Sequence, residues 1–402
     1  MSATHFVTVP AASAHSFDHL GFALDLVTAG VICALEDTKS DQVVVSATRD
    51  DDNIPSVRGA VSLDLDHFIQ VSEAIIGRKL VSAGTRSAAM TQWAKTVWTE
   101  LRRQEVLERG TFEKPWCSAC QMYVEINGRR LSCPACGRRE VHLRAEVNWF
   151  LRTSRYLQAL REWRGEVTML GPAADTARNA PVVPSRLSIS RPAARTAGTG
   201  VRVPGDPSQV IHSGLVAACS YLLPRDATDW STATTRTQVF GKGLVGLHTS
   251  IVPILCTALG LPTADRLHIH HHLTINGDSP QSAAQVGHTA THLLTTAGPD
   301  AFRWWLARLA LTRRDASLAL RDLNSLKRRE LDSQRSTVPT AHLLEHFRAR
   351  IGAAIEAVDI GRLTRGVLQL KRQPELMQTL TCDTQERLNT LTTWFTESRS
   401  DL

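Results

Sequence analysis

The sequence predicts an α/β fold: a parallel sheet, interrupted by a small cysteine-bearing insertion and followed by a C-terminal α-helical region. Three observations predict it. A strand–helix–strand pattern runs from Phe6 to Thr48, two Cys-x2-Cys pairs lie between Cys117 and Cys136, and from Asp300 the pattern is helical and charged.

Taken in order, "FVTV" (Phe6–Val9) reads as a buried strand, and "DHLGFALDLVTAGVICAL" as a helix opening at Asp18, a good N-cap. "QVVVSAT" (Gln42–Thr48) reads as a second buried strand. This βαβ unit argues for a parallel sheet with ligands at the strand ends. From Ser87 to Arg109, Met90, Trp93, Ala94, Val97 and Leu101 recur at helical spacing, with Gly110 as the stop. "NWFLRTSRYLQALREW" reads as a polar-faced helix, and residues 171–209, rich in Pro, Gly, Ala, Ser and Thr, as a long connection. "QVFGKGLVGLHTSIVPILCTALG" is a strand, a glycine turn and a helix, and "RLHIHHHLTI" is a further strand. No internal repeat is present.

At 402 residues the chain is expected to hold two or three domains. Its 43% hydrophobic and 21% charged residues are ordinary for a soluble globular protein. No run of apolar residues is long enough to span a membrane, and "MSATHFVTVPAASAHSF" does not read as a signal peptide, so no membrane partner and a cytoplasmic location are expected. A net charge of +7 permits nucleic-acid contact without establishing it.

The spacing Cys117-x2-Cys120-x12-Cys133-x2-Cys136 can place four thiolates around zinc. Four thiolates leave no open coordination position, so such a zinc is structural. An iron–sulfur site and a redox pair are the alternatives. Cys33, Cys219, Cys256 and Cys382 are scattered and read as buried thiols.

Several segments together resemble the methionyl-tRNA synthetases, class I enzymes of Rossmann type, over roughly residues 5–310. "GTFEKPWCSAC…CPACG" is similar to the family's zinc knuckle, and "EVNWFLRTSRYLQALREW" to the segment after it. "SRLSISR" with "VPGDPSQV" is similar to the return into the catalytic domain, "QVFGKGLVGLHTSIVPILCTALGLP" to its F-I-G-K-D block, and "GPDAFRWWLAR" to the helix after the catalytic loop. The resemblance implies a first half of the catalytic fold at 1–84, an inserted connective domain with the zinc knuckle at 85–165, the second half at 166–298, and an anticodon-binding-like helical domain at 299–402.

The family activates an amino acid with ATP and transfers it to tRNA, and this chain departs from the residues that serve ATP. The H-I-G-H motif corresponds to "HLGF": His19 and Gly21 stay, and Phe22 replaces the second histidine. The lysine-bearing K-M-S-K-S loop corresponds to "INGDSPQSAAQVGH" (Ile275–His288), and no lysine or arginine lies between Arg266 and Arg303. His271 replaces a glycine beside adenine, Gly243 an aspartate after Lys242, and Gly214 and Val216 the family's tryptophan and aspartate.

By the same resemblance, His19 is the catalytic remnant, and Gly21, Lys242 and His270 mark the former ATP site. Ala11, Ser13, Asp50, Tyr221 and His248 line the amino-acid pocket, with Asp50 or Asp51 standing for the aspartate that meets the substrate ammonium. Removing one preorganised donor from a transition state costs about 10²–10³ in rate. With at least three such groups missing, methionine activation is expected to be slowed by at least about 10⁴, even with strong non-additivity.

The expectation is a synthetase-like chain with structural zinc, without ordinary adenylation, that binds an amino-acid-like ligand, tRNA or a protein partner. The rival is a specialised ligase of a natural-product pathway, for example one forming nitrogen–nitrogen bonds with a cupin partner. Four smaller readings complete the picture. His268, His270, His271 and His272, with His288 and His292, read as core, loop or pocket histidines ahead of a metal site. Trp304 and Trp305 read as core. Arg303, Arg308, Arg313 and Arg314, on a helix over 301–320, suit tRNA contacts and a solvated face equally. Lys242 suits a phosphate or carboxylate contact and a plain turn equally.

Overall fold

The computed structural model describes residues 4–13, 18–36, 42–50, 65–119, 122–124, 132–133, 137–181, 183–196, 199–225, 229–279, 287–309, 314–326 and 341–396. The chain opens with β1 (Thr4–Thr8), the short β2 (Ala12–Ser13), α1 (Leu20–Glu36), β3 (Gln42–Asp50), α2 (Leu65–Ile76) and β4 (Val81–Gly84). Almost every residue of α1 is buried, as befits a helix between a sheet and further helices. Asp18 does not cap it. Its carboxylate instead accepts from Thr291 N–H at 2.7 Å, and His19 caps α1.

α3 (Ala88–Arg103) is capped by Ser87, whose Oγ accepts from Met90 N–H. It ends before Gly110, which lies inside β5 (Leu107–Cys117) opposite Asn148. The expected stop was wrong because the segment after Arg103 pairs as a strand. β5, β6 (Met122–Tyr123) and β7 (Val141–Leu151) form an antiparallel ribbon, so "NWFL" is strand, not helix. The helix α4 begins only at Leu157 and runs to Glu166.

β8 (Thr168–Leu170) and α5 (Ala174–Arg178) follow. Then β9 (Leu187–Ser188) joins β7, while β10 (Ser190–Pro192), β11 (Arg202–Val203) and β12 (Asp206–Ile211) make a small sheet of their own. The span 171–209 is therefore partly ordered structure. Its strands are too short to show a period in the sequence.

α6 (Ser213–Tyr221), β13 (Thr235–Gly241), a π-helical turn (Leu247–Ile251), α7 (Val252–Leu259) and β14 (Arg266–His270) complete the α/β region. The central sheet runs β2-β3-β1-β13-β14-β8, with β4 also on β3, and every pair is parallel. The chain order reverses between β1 and β13, so the crevice beyond their C-terminal ends is where such a sheet binds ligands.

"RLHIHHHLTI" breaks at His271, and β15 (Leu273–Ile275) starts a separate two-stranded pairing with β16 (Ala316–Leu318). Between them lie α8 (Ala290–Ala297) and α9 (Pro299–Leu309), so the helix expected over 301–320 is shorter. α10 (Arg321–Leu326), α11 (Ala341–Glu356), α12 (Ile360–Arg372) and α13 (Cys382–Thr396) end the described chain.

This helical region shares one core with the sheet. Gly30 of α1 admits the Trp394 ring so closely that a Cβ there would lie 2.3 Å from it. Trp304 and Trp305 are wholly buried, as core residues. Arg303 is also buried. Its guanidinium donates to the carbonyls of Ala74 and Ile75, at the end of α2, and of Trp394. That placement removes it from any nucleic-acid surface. No helix among the described residues is long and apolar enough to cross a membrane.

Candidate ligand site at the sheet edge

The crevice beyond β1 and β13 gathers most of the residues singled out in the sequence. Ala11 N–H donates to the Tyr221 hydroxyl at 3.2 Å, tying the end of β1 to α6. Tyr221 stacks on His248 (5.3 Å, 30°), and His248 lies nearly coplanar on Phe240 (4.0 Å, 4°). His248 is fully buried, and burial pushes its pKa down to about 3, so the ring is neutral. Ser13 and Asp50 are register partners of β2 and β3 at the same edge.

On the other side of the crevice His19 Nδ1 accepts from Phe22 N–H at 3.0 Å, closing the first turn of α1. Burial lowers the His19 pKa, which favours the neutral form needed to accept that bond. Phe22 is buried and stacks on Phe68 of α2 (5.9 Å, 23°). The Phe22 side chain thus turns into the core.

The strand β14 and the residues just after it lay alternate histidines, His268, His270 and His272, against glycines. A Cβ on Gly171 would lie 2.9 Å from His268 Cε1, one on Gly241 3.1 Å from His270 Cε1, and one on Gly243 3.0 Å from His272 Cε1. His268 Nε2 donates to the Val358 carbonyl at 3.2 Å, and His270 Nε2 meets Asp25 Oδ1 of α1 at 2.7 Å. Burial alone would lower the His270 pKa, but the Asp25 charge and hydrogen bond outweigh it and raise it. Among the described residues no three metal-binding side chains cluster, so the histidine run has structural partners here and no metal geometry.

Asp315, just before β16, collects the next groups. Lys242 Nζ reaches its carboxylate at 2.6 Å, His272 N–H donates to it at 3.1 Å, and His271 Nδ1 lies 3.5 Å away. Lys242, expected at the former ATP site, is therefore paired within the chain. Gly21 lies in the first turn of α1, beside its cap. Gly214 N–H is bonded by His212 Nδ1 at 2.9 Å, and Val216 is buried.

Sequence reasoning missed Asp25, Asp315, Thr8 and Gln238. A lone acid inside the apolar run "LGFALDLVTAG" is the one signal that pointed to Asp25. Asp315 lies 73 residues from Lys242, and nothing in the sequence joins them.

Two expectations fall partly outside the described residues. Cys117 and Cys133 are buried in one small cluster with Val124, while Cys120 and Cys136 are not among the described residues. Of the loop Ile275–His288, residues 280–286 are likewise outside, and its start turns through Asn276 (φ 53°) and Gly277 (φ 93°). A mostly apolar cavity of about 770 Å³ is lined by Asn179, Pro181, Val183, Leu187, Val245 and Ile251 among others. It borders the same helical turn as His248 but does not include that ring.

Residues 138–336 match a family of tRNA synthetases class I (M). The chain is 22% identical over 385 residues to the mitochondrial methionine–tRNA ligase of Xenopus laevis, covering 86% of this chain and 66% of that one. It is 27% identical over 244 residues to the methionine–tRNA ligase of Streptomyces coelicolor, covering 56% and 44%. The chain thus spans less than two thirds of the length of these relatives. Its fold is similar to Mycobacterium tuberculosis methionyl-tRNA synthetase in complex with methionyl-adenylate, with a TM-score of 0.70 at 15% identity over 98% of this chain and 89% of the other.

Proposed function

Since the chain belongs to the methionyl-tRNA synthetase family of class I, we propose that it keeps the amino-acid crevice but has given up ordinary ATP-dependent adenylation. It serves instead to bind an amino-acid-like ligand, with tRNA or a protein as a further partner. The observation that carries this reading is the absence of any lysine or arginine between Arg266 and Arg303, across the loop that should grip the triphosphate. Lys242, the nearest basic residue before that stretch in the former ATP block, is spent on Asp315. Phe22 packs on Phe68 where a phosphate-binding histidine is expected. On the other side of the crevice Tyr221 and His248 remain stacked and buried, which supports a retained amino-acid pocket.

ATP binding by calorimetry, with ATP–pyrophosphate exchange over an amino-acid panel including methionine and N-hydroxylated amino acids, tests this. The expected result is neither binding nor exchange. Exchange with any one amino acid would favour the specialised ligase instead.

The four cysteines Cys117, Cys120, Cys133 and Cys136 are proposed to hold structural zinc. The burial of Cys117 and Cys133 in one cluster fits a closed thiolate site. Metal analysis of the purified chain should find about one zinc per chain, lost together with stability on Cys117→Ser.

A further inference from the structure

Beneath the stacked Tyr221 and His248, the buried face of the sheet carries polar side chains with nothing to bond. Thr8 of β1 and Gln238 of β13 are register partners, and both are wholly buried. Among the described residues, Thr8 Oγ1, both carboxamide atoms of Gln238 and both ring nitrogens of His248 have no hydrogen-bond partner. Thr8 and Gln238 lie side by side on adjacent parallel strands. Phe240 follows Gln238 by two positions, so it stands on the same sheet face, and it is the ring on which His248 stacks at 4.0 Å.

Buried polar groups in folded proteins are almost always hydrogen-bonded. Five unbonded atoms in one patch, under the rings of an amino-acid pocket, form a surface that something else completes. Resting on the amino-acid-binding reading above, we propose that this patch is the side-chain subsite. Its ligand is an amino acid whose side chain ends in an uncharged group that both donates and accepts hydrogen bonds, a carboxamide or a hydroxyl.

The chemistry of the patch selects that class. Gln238 offers two donors and an acceptor, Thr8 either role, and a neutral imidazole one of each. Burial keeps His248 neutral. A thioether is only a weak acceptor and would leave the donors unpaired. A charged end would need a counter-charge that Thr8, Gln238 and neutral His248 do not supply. A site built to hydrogen-bond its ligand rejects an apolar isostere strongly, because its own groups are then left buried and unpaired.

Calorimetry on the full chain with L-asparagine, L-glutamine, L-homoserine, L-methionine and L-norleucine tests this. At least one of the three polar amino acids should bind about tenfold or more tighter than norleucine. Gln238→Met should cost that ligand about tenfold and narrow or reverse the preference over methionine. Thr8→Val, nearly isosteric, gives a second reading if Gln238→Met does not fold, and should weaken the polar ligand several-fold. Methionine or norleucine binding as tightly as the polar amino acids would overturn the proposal alone. So would a preference that survives both substitutions. Binding of none of the five would overturn it together with the amino-acid-binding reading. A buried water completing the patch without any ligand would give that last result.

Discussion

His270 Nε2 sits 2.7 Å from Asp25 Oδ1, both side chains buried, and this contact fastens the end of β14 to the middle of α1. A charged Asp25 is penalised by burial, which raises its pKa, while His270 and His19 pull the other way. Both partners of the pair thus hold a proton more tightly in the folded chain than in the unfolded one. The pair's contribution to stability is present at low pH and fades as pH rises through the raised values.

Asp25→Asn removes the charge that raises the His270 pKa, leaving burial as the dominant influence. The His270 titration, followed by NMR, should then fall below its ordinary value. An unchanged titration would mean that Asp25 does not set it.

Acid should destabilise the fold through a different set of histidines. Burial pushes His212 and His248 down to about 3 and His268 to about 4. These residues stay neutral in the folded chain at pH values where the unfolded chain has protonated them. Their contribution is present above the ordinary histidine value of about 6.5 and is lost as pH falls toward about 4, at about 1.4 kcal/mol per proton per pH unit. Denaturant melts between pH 7 and pH 4.5 should show this slope, and His268→Asn should flatten it. A stability independent of pH over this window would contradict the placement of these rings.

Two glycines should behave oppositely. Gly171 has φ +87°, and a Cβ there would lie 2.5 Å from the Ile269 carbonyl, which belongs to β14 and cannot retreat. Gly171→Ala is expected to cost about 2–4 kcal/mol. Gly246 meets nothing within 4 Å and has helical angles (φ −58°, ψ −37°), so Gly246→Ala should be neutral or stabilise by up to about 1 kcal/mol. Thermal melts of the two variants side by side decide the matter, and equal effects would speak against both assignments.

Arg303 should be a stability residue. Three carbonyls from two helices, those of Ala74, Ile75 and Trp394, converge on its guanidinium. Arg303→Met leaves them buried without donors, at about 3–5 kcal/mol. Arg303→Lys should recover little, since one ammonium cannot reproduce the planar fork. If both variants melt like the parent chain while tRNA binding is lost, Arg303 faces solvent and contacts nucleic acid.

Taken alone, the sequence determined the fold class, because apolar periodicity and the βαβ order are local properties of the chain. The order and spacing of its segments were enough to point to the family. It likewise shows that no lysine or arginine lies between Arg266 and Arg303, an absence of charge that holds in any register and on which the proposed function rests. It misjudged Gly110, "NWFL" and residues 171–209, where the decisive interaction was pairing with a distant strand. Only the tertiary structure decided the partners of the charged and polar side chains. Lys242 meets Asp315 and Arg303 meets the end of α2, while Asp25 meets a histidine 245 residues away. Thr8 and Gln238 share one buried patch because β1 and β13 lie side by side. Hydrogen bonds and ion pairs act over a few ångströms, and which groups come that close is set by sheet order, which no window of the sequence contains.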